Sequence, residues 1–548
     1  MLTKLNKNRI YILWVLCGFI LFFYPLWKTG IIHNDELLIW YNRQDSIYCM
    51  IANLVHNELG QGRLLRILAP INFSVSFLTK NMIVNRIIQS ILIMLSVFLL
   101  SYFFKKLTSN TLSCILYGIT AICMLPYTFE SSIPQVYVGL VVVPLIELTL
   151  SAIFFLFYLE NRRKKYFIAS LVLFVISLLG YEFMITYTLL FPMLYLARGN
   201  CRENIRCFVK IVMLYGVIGI LYILVLLVSS TIMSGNYSGA EFGFVSIQST
   251  LDIICNIINA SCPGYYLHSE KYNYLFNYYS GKELSTTMYG FINGTEIISL
   301  RSLMIALWLL ITLYVCFSKF RDASCNYKVS YLVIGGGIYT VIPILPNALS
   351  AGYQGNVGEH AFISLPVSLY IYTALLFILS VIIVKILQRY NRLKYLTIIL
   401  IVFLTLPIQI MNETFAKQSE CDYKRYQFIE QVLKTDLIRM FDNQTIYSPD
   451  MYKTNNCLAI RDGYWTSYLQ RYCDLNICIQ ADQECMPQIY VMDEKTLSLV
   501  TEDQIIFVSL NPIYSPQLIQ IDQQTFKSFE TTTCLLDHGI YYCMIPRE

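Results

Sequence analysis

The sequence predicts a polytopic α-helical membrane protein of about eleven transmembrane helices, with a small α+β domain at its C-terminal end. Three observations lead to this class. Of the 548 residues, 56% are hydrophobic and only 14% are charged, whereas a soluble protein carries about a quarter charged residues. Runs of about twenty apolar residues, the length that crosses a bilayer, recur along the chain. Lysine and arginine concentrate in alternate connections between these runs, which is typical of cytoplasmic loops.

The first apolar run follows a basic N-terminal segment and extends from Ile10 to about Ile32. It is longer than the apolar core of a signal peptide, and no small-x-small cleavage site follows it. We therefore expect it to be retained as the first helix. The predicted spans lie near residues 10–32, 83–104, 111–128, 136–158, 166–181, 184–197, 210–232, 301–317, 330–349, 363–384 and 395–411.

The charge pattern predicts the orientation of these spans. With the N-terminus inside, the connections predicted to face the cytoplasm contain half of the 40 lysines and arginines. The short connections predicted to face outward, 129–135, 180–183 and 350–362, contain none. An even number of spans would break this alternation, so the pattern predicts a C-terminus outside the cytoplasm.

Two domains are expected. Residues 1–411 would form the transmembrane domain, with large outer loops at 33–81 and 233–300. Residues 412–548 would form an extracytoplasmic α+β domain, because 420–441 has helical periodicity and strand-like runs follow it. These runs are Gln488–Met492, Gln504–Leu510, Gln517–Ile521 and Gly539–Ile545.

Several cysteines lie in the predicted outer parts, where an oxidising environment would allow disulfides. The pairs that could close short loops or a hairpin are Cys255 with Cys262, Cys478 with Cys485, and Cys534 with Cys543. Free buried thiols are the alternative, because connectivity does not follow from sequence. No metal site is predicted, since no paired C-x-x-C with partner ligands occurs.

The densest group of polar residues directly follows the first predicted span and includes His33, Asp35 and Glu36. An acidic pair on a short tether at the membrane surface suits a general base, so Asp35 and Glu36 are the catalytic candidates. Further along the loop, Arg63 and Arg66 could bind a donor phosphate through charge-assisted, often bidentate hydrogen bonds. The alternative is a solvated loop whose arginines contact lipid headgroups.

A second set of polar residues lies on the other outer rims and in the second outer loop. The predicted substrate-binding residues are His33, Glu182, His268, Lys271 and His360. They accompany many tyrosines, and aromatic-rich polar surfaces suit sugar rings. Tyrosine also forms the interfacial belt of any membrane protein, which is the better interpretation for any single one of the 43 tyrosines.

Glu147 is the clearest ionisable residue inside a predicted span. An intramembrane carboxyl marks a transport or proton pathway by default. A packed polar contact between helices is the equal alternative.

Taken in order, these features resemble the GT-C superfamily of polyprenyl-phosphate-sugar-dependent glycosyltransferases. One helix precedes a long outer loop that opens with Asp35-Glu36 and contains a Gly-x-Gly-Arg sequence ending at Arg63, followed by many helices and a terminal domain. The Tyr181-Glu182 step also looks like a recurring family feature. The pattern is similar to bacterial and phage-encoded, serotype-converting (Gtr-type) glucosyltransferases that modify O-antigen. Many of these enzymes have Asp-Asp at the acidic pair, so the identity of the base stays open.

The resemblance implies an enzyme that moves a hexose, expected to be glucose, from a polyprenyl-phosphate donor to a cell-surface polysaccharide such as lipopolysaccharide O-antigen. Asp35 or Glu36 would deprotonate the acceptor hydroxyl, while Arg63 or Arg66 would stabilise the leaving polyprenyl phosphate. It also implies a bacterial inner-membrane location with an extracytoplasmic active site, and functional partners that supply the lipid-linked sugar. No nucleic-acid partner is expected, no cofactor is assigned, and dependence on a divalent metal stays open.

Two other functions are weighed against this one. A polysaccharide polymerase would place arginines in the large middle or late outer loops, but the loop at 233–300 has only Lys271 and Lys282. A lipid or glycan transporter or flippase would show paired intramembrane charges, broken helices or internal repeats, and no repeat is evident.

Overall fold

The computed structural model describes most of the chain up to Leu433 and shorter segments beyond it. The described residues are 2–30, 36, 39–40, 43, 46–127, 134, 137–198, 205–232, 246–265, 299–319, 329–350, 354, 366–433, 439, 442, 445–447, 470, 474–476, 478–480, 496–500, 504–509, 533–537 and 540–546.

The chain divides into two compact units. The first comprises Met1–Thr29, Asp35–Tyr274 and Leu284–Lys417, and the second comprises Gly30–Asn34, Leu275–Glu283 and Gln418–Glu548. The main division therefore falls at 417/418, whereas the sequence analysis places it at 411/412.

The first unit is helical in the part that the structure describes. Its helices are α1 (Leu2–Lys28), α2 (Ile47–Gly60), α3 (Ala69–Val75), α4 (Met82–Thr108), α5 (Thr111–Cys123), α6 (Val143–Asn161), α7 (Lys164–Gly180), α8 (Leu190–Arg198), α9 (Ile205–Ile232), α10 (Ile247–Ser261), α11 (Leu300–Lys319), α12 (Val329–Val341), α13 (Leu345–Ala348), α14 (Ser368–Arg389) and α15 (Lys394–Leu433), whose last part belongs to the second unit. A π-helical turn, Val138–Val142, leads into α6, and a 3-10 helix, Glu182–Leu189, leads into α8. Short 3-10 turns occupy Ile342–Ile344 and Asn391–Leu393.

Eight helices of the described chain are long and apolar enough to cross a membrane. They are Tyr11–Lys28, Met82–Thr108, Val138–Asn161, Ile205–Ser229, Leu300–Lys319, Tyr331–Ala348, Ser368–Arg389 and Asn391–Glu413. Two shorter apolar helices, Thr111–Cys123 and Glu182–Leu196, and the helix α7 coincide with the other predicted spans. These are the features of a polytopic helical membrane protein. The number of spans and their orientation stay predictions.

Burial separates the central helices from the peripheral ones. In Val138–Asn161, 67% of the most apolar stretch is buried inside the protein, against 22% in Ile205–Ser229. Helix α6 buries Leu148 and Phe155 between neighbouring helices, while α9 exposes Met213 and Ile220. Extended exposed apolar surface of this kind suits contact with lipid. Helix α6 therefore lies at the centre of the first unit and α9 at its edge.

Helix α4 carries polar residues at its N-terminal end and apolar ones beyond. The Asn81 side chain caps its first turn by accepting a hydrogen bond from the Val84 N–H at 3.2 Å. Asn85, Arg86 and Gln89, in the following turns, are fully buried. Buried polar groups in a membrane protein require internal partners. Asn85 Nδ2 donates to the Thr79 carbonyl at 2.8 Å and Gln89 Nε2 to the Ser76 carbonyl at 3.2 Å.

The second unit contains a six-stranded sheet in its described part. Its strands are β1 (Thr445–Tyr447), β2 (Cys478–Gln480), β3 (Thr496–Val500), β4 (Gln504–Ser509), β5 (Thr533–Asp537) and β6 (Ile540–Pro546). Their order is β2-β1-β3-β4-β6-β5, in which only β1 and β2 are parallel. Strands β4 and β6 coincide with two predicted strand-like runs. The other two, Gln488–Met492 and Gln517–Ile521, lie outside the described residues.

The predicted Cys255–Cys262 disulfide is wrong, because both cysteines are free. Cys255 lies within α10 and Cys262 caps its end. Seven residues of helix separate their Cα atoms by about 10 Å, beyond the span of a disulfide. By contrast, the register of β5 and β6 places Cys534 opposite Cys543. Cys485 lies outside the described residues.

Candidate functional site

A capped turn at the end of α2 fixes the position of Arg63. Gly62 has a φ of 73°, and its N–H donates to the Leu59 carbonyl at 3.0 Å. The Arg63 N–H donates to the Glu58 carbonyl at 2.9 Å. These two bonds form a Schellman cap, in which glycine is favoured at the left-handed position. The helix-ending geometry thus explains the glycine at position 62. Arg63 Nη1 lies 3.8 Å from Glu58 Oε2.

Arg66 is held between two carboxylates. Its Nη1 atom lies 3.2 Å from Glu58 Oε2, and its Nε atom lies 2.9 Å from Glu182 Oε2. The guanidinium also lies over the Tyr181 ring, 5.8 Å from the ring centroid. Glu182 reaches this position because α7 ends at Gly180 and the chain passes through an extended Tyr181 into a 3-10 helix. The interruption between two short helices therefore presents a carboxylate to Arg66.

Helix α9 covers this cluster with two polar residues seven positions apart. Ser229 Oγ donates to the Gly62 carbonyl at 3.1 Å and so joins α9 to the capped turn. Two helical turns earlier, Tyr222 is buried, and its hydroxyl has no hydrogen-bond partner. That hydroxyl interacts electrostatically with all four charged groups of the cluster. A buried hydroxyl without a partner is costly, which makes Tyr222 a candidate residue of this site.

The four charges of this cluster balance. Arg63 and Arg66 face Glu58 and Glu182, and only 3% of the Arg66 side chain is exposed, against 13% for Arg63. Burial raises the pKa of the Glu58 carboxyl above its ordinary value, although Arg66 and Arg63 act in the opposite direction. The cluster is thus a compact, partly desolvated site in which a new anion would compete with Glu58.

The structure brings three predicted residues together, namely Arg63, Arg66 and Glu182. It gives the two arginines different environments, because Arg66 contacts Glu58 and Glu182 at 3.2 and 2.9 Å, whereas Arg63 is more exposed and lies 3.8 Å from Glu58. Two members were missed. Glu58 lies in the same polar stretch of sequence as the arginines. Tyr222 and Ser229 are seven positions apart and therefore share one face of an apolar helix, a pattern that is visible in the sequence.

Glu36, one of the two predicted catalytic residues, is completely buried against Arg86. Its Oε1 atom lies 2.5 Å from Arg86 Nη2, and both side chains have 0% exposure. Arg86 also donates from Nη1 to Gln89 Oε1 at 3.0 Å and from Nε to the Thr29 carbonyl at 3.3 Å. A carboxylate held in this way cannot meet an acceptor without breaking the ion pair. The geometry therefore favours a structural role for Glu36.

The remaining predicted site residues lie outside the described part of the chain. They are His33, Asp35, His268, Lys271 and His360. Asp35 directly precedes Glu36 in the sequence.

A second buried polar position lies where α3, α6 and α7 meet. Glu147 Oε2 and Asn72 Nδ2 are both buried without a hydrogen-bond partner. Both lie beside Gly180, where a Cβ atom would be 2.5 Å from Asn72 Nδ2 and 3.7 Å from Glu147 Oε2. One interpretation of Glu147 in the sequence analysis is a packed polar contact between helices. Glu147 Oε2 makes no hydrogen bond that would form such a contact.

An apolar cavity lies among α4, α6, α8, α12 and α14, and tyrosines connect it to the charged cluster. Tyr187, Tyr339 and Tyr370 are among its lining residues. The Tyr187 ring stacks on Tyr339 with centroids 5.1 Å apart, and Tyr370 lies 6.0 Å from Tyr187 and 6.3 Å from Tyr181. Since Arg66 lies over Tyr181, a series of ring contacts leads from a charged site to an apolar cavity.

Comparison with known proteins adds no relative: no protein-family model matches the chain, no curated protein matches it, and no solved structure matches it. Within the described residues, no group of three His, Cys, Asp or Glu side chains could hold a metal ion.

Proposed function

We propose that this protein is a membrane glycosyltransferase that moves a hexose from a polyprenyl-phosphate donor to a cell-surface polysaccharide. The observation that carries the proposal is the pairing of a charged cluster with an apolar cavity. The cluster offers the guanidinium groups of Arg63 and Arg66, of which Arg63 is the more exposed. The cavity beyond Tyr181 is lined almost wholly by apolar and aromatic side chains. A lipid phosphate has these two parts, a charged head and an apolar chain.

In the proposed mechanism, Asp35 accepts the proton of the acceptor hydroxyl. The acceptor oxygen forms a bond to the anomeric carbon while the bond from that carbon to the phosphate oxygen breaks. The electron pair of the broken bond stays on the polyprenyl phosphate, whose added charge Arg63 stabilises. Asp35 is preferred over Glu36 because Glu36 is buried in an ion pair with Arg86.

The test compares Asp35→Asn with Glu36→Gln, each produced as the full chain in membranes. Transfer of labelled sugar from polyprenyl-phosphate-sugar to surface polysaccharide is followed, and protein abundance is measured by immunoblot. We expect Asp35→Asn to abolish transfer at normal abundance. Glu36→Gln is expected to lower the amount of folded protein while the transfer per folded molecule is retained. Full activity of Asp35→Asn would contradict the mechanism.

Glu147 favours a second candidate function, transport coupled to protons. Its buried oxygen has no hydrogen-bond partner, and intramembrane carboxyls often carry protons. If this function is correct, Glu147→Gln abolishes proton-coupled uptake of a lipid-linked sugar in proteoliposomes and leaves glycosyl transfer absent in both forms. The glycosyltransferase proposal expects transfer to be measurable in both forms.

A further inference from the structure

The apolar cavity extends lengthwise along the helices of the first unit. On α4 its lining residues lie in the last turns, between Leu100 and Leu107, next to the basic C-terminal end of that helix. On α12 they lie between Tyr331 and Tyr339, which are about 12 Å apart along the helix axis. The cavity is therefore long enough to hold part of an extended hydrocarbon chain that lies parallel to these helices.

Three consecutive glycines of α12 differ in what a side chain at each would meet. Gly335 lines the cavity, and among the described residues a Cβ atom there would meet Met193 Cε, at an ordinary contact distance of 3.6 Å. At Gly336 a Cβ atom would lie 2.5 Å from Ile378 Cγ1, so this glycine allows α12 and α14 to approach closely. At Gly337, which does not line the cavity, a Cβ atom would meet nothing within 4 Å. A larger side chain at position 335 would therefore fill cavity space without forcing two helices apart.

We propose that Gly335 sets the length of the lipid chain that this protein binds, because the chain of polyprenyl phosphate runs along the cavity and contacts α12 at this glycine. The inference rests on the proposed function, which assigns the phosphate to the charged cluster and the chain to the cavity. Ring contacts from Tyr181 through Tyr370 and Tyr187 to Tyr339 connect the two places. Gly335 lies beyond Tyr339, about 6 Å further along α12. Only the later isoprene units of a bound chain therefore reach Gly335.

The physical basis of this selection is packing. A free lipid chain in the bilayer is already in apolar surroundings, so its transfer into the cavity gains little from the hydrophobic effect. The gain comes from van der Waals contacts with the cavity wall. A leucine at position 335 would occupy the space of the later isoprene units, and overpacking of this kind is unfavourable. A chain that ends before Gly335 would keep all its contacts.

The experiment uses the full chain in nanodiscs of phosphatidylcholine, a lipid without net charge. Binding of radiolabelled geranyl phosphate, with two isoprene units, and geranylgeranyl phosphate, with four, is measured, and nanodiscs without protein give the partition into lipid that is subtracted. We expect Gly335→Leu to weaken binding of geranylgeranyl phosphate at least fivefold and to leave that of geranyl phosphate within twofold of the natural protein. Gly337→Leu, the matched control, should bind both ligands as the natural protein does. Gly335→Ala should have a smaller effect than Gly335→Leu, because it adds a single carbon atom.

Retained binding of geranyl phosphate would also show that Gly335→Leu is folded. Equal binding of geranylgeranyl phosphate by Gly335→Leu and the natural protein would overturn the inference while the donor class stands, and so would equal weakening of both ligands. Hexadecyl phosphate tests an ordinary lipid chain as the occupant. If Gly335→Leu weakens binding of hexadecyl phosphate but not of geranylgeranyl phosphate, the inference fails. A natural protein that binds neither isoprenyl phosphate would contradict the proposed function and this inference together.

Discussion

Arg63 and Arg66 are three positions apart in sequence, but their surroundings give them different roles. Arg66 is nearly inaccessible and is paired on two sides, by Glu58 and by Glu182. Arg63 is more exposed, and its contact with Glu58 is longer, at 3.8 Å. A buried guanidinium with two carboxylate partners stabilises the fold, whereas a more exposed one is easier for an incoming anion to reach.

We therefore predict that two matched substitutions differ in their effects on stability and on sugar transfer. Arg66→Met should lower the free energy of unfolding by about 3–5 kcal/mol, because it leaves Glu182 buried without its partner. Arg63→Met should lower that free energy by less than Arg66→Met does, because Arg63 is more exposed and its contact with Glu58 is longer. It should also reduce transfer of sugar at least tenfold. Chemical unfolding in detergent and the transfer assay measure the two quantities. Equal destabilisation by both variants would show that the arginines share one structural role.

The Glu36–Arg86 pair allows a cycle of substitutions that separates stability from chemistry. Arg86→Met alone removes the arginine partner of a buried carboxylate and should cost about 3–5 kcal/mol of unfolding free energy. The double variant Glu36→Leu with Arg86→Met should recover most of this loss, because two apolar side chains then replace the two charges.

Sugar transfer by that double variant decides the role of Glu36. Transfer at a near-normal rate per folded molecule would support a purely structural role and leave Asp35 as the base. A folded double variant without transfer, together with active Asp35→Asn, would make Glu36 the base and overturn our assignment.

The sequence predicted part of this site for reasons that the structure now explains. The Gly62-Arg63 step was recognisable as a motif, but it owes its form to the cap of α2. Arg86 could not be identified as the partner of Glu36, since fifty residues separate them and only the packing of α4 brings them together. Local sequence patterns therefore predict turns and helix caps, whereas ion pairs between helices depend on tertiary packing.

At the scale of elements, the same limit applies to the short region 166–197. Its apolar pattern predicts two helices interrupted at Gly180-Tyr181-Glu182, and the structure confirms the interruption between α7 and the 3-10 helix. The reason is tertiary. The Leu68 N–H donates to the Leu179 carbonyl at 3.1 Å, and Gly180 packs directly against Asn72. Because the interruption between the two helices contacts the segment after Arg66, it positions Glu182.

Gly139 provides a test of how closely these elements approach. It lies in the π-helical turn before α6, where a Cβ atom would collide with the main-chain carbonyl of Asn72. Gly139→Ala should therefore displace α3 from α6 and lower the free energy of unfolding by about 1–3 kcal/mol or more. Gly216→Ala in α9 is the control, because a Cβ atom there would meet nothing within 4 Å. Thermal unfolding in detergent should show a lower midpoint for the first variant only.

At the scale of the whole molecule, the composition and apolar runs sufficed for the class. Each predicted span overlaps a helix, but three of those helices, α5, α7 and the segment Glu182–Leu196, are shorter than the eight that could cross a membrane by length. Length alone does not decide whether they span, since a membrane can thin around a short helix and flanking side chains can reach the interface.

Charge distribution provides the stronger argument on the number of spans. If only the eight long helices cross, both chain ends lie on the same side. The connection from 162 to 204 would then be outside, although it carries the run Arg162-Arg163-Lys164-Lys165. The basic residues near 319–328 and 385–394 would also be outside. All three placements violate the preference of lysine and arginine for the cytoplasmic side.

We therefore predict that the N-terminus and the C-terminus lie on opposite sides of the membrane. In a bacterial host, alkaline phosphatase fused after Glu548 should be active, and a green fluorescent protein fused there should be dark, because each reporter folds on only one side. The same pair fused after Lys165 should give the reverse result, since this position is predicted to be cytoplasmic. A fluorescent fusion after Glu548 would mean an even number of spans. The predicted outer loop 33–81 and the charged cluster would then need to be assigned to a side of the membrane independently of the C-terminal domain.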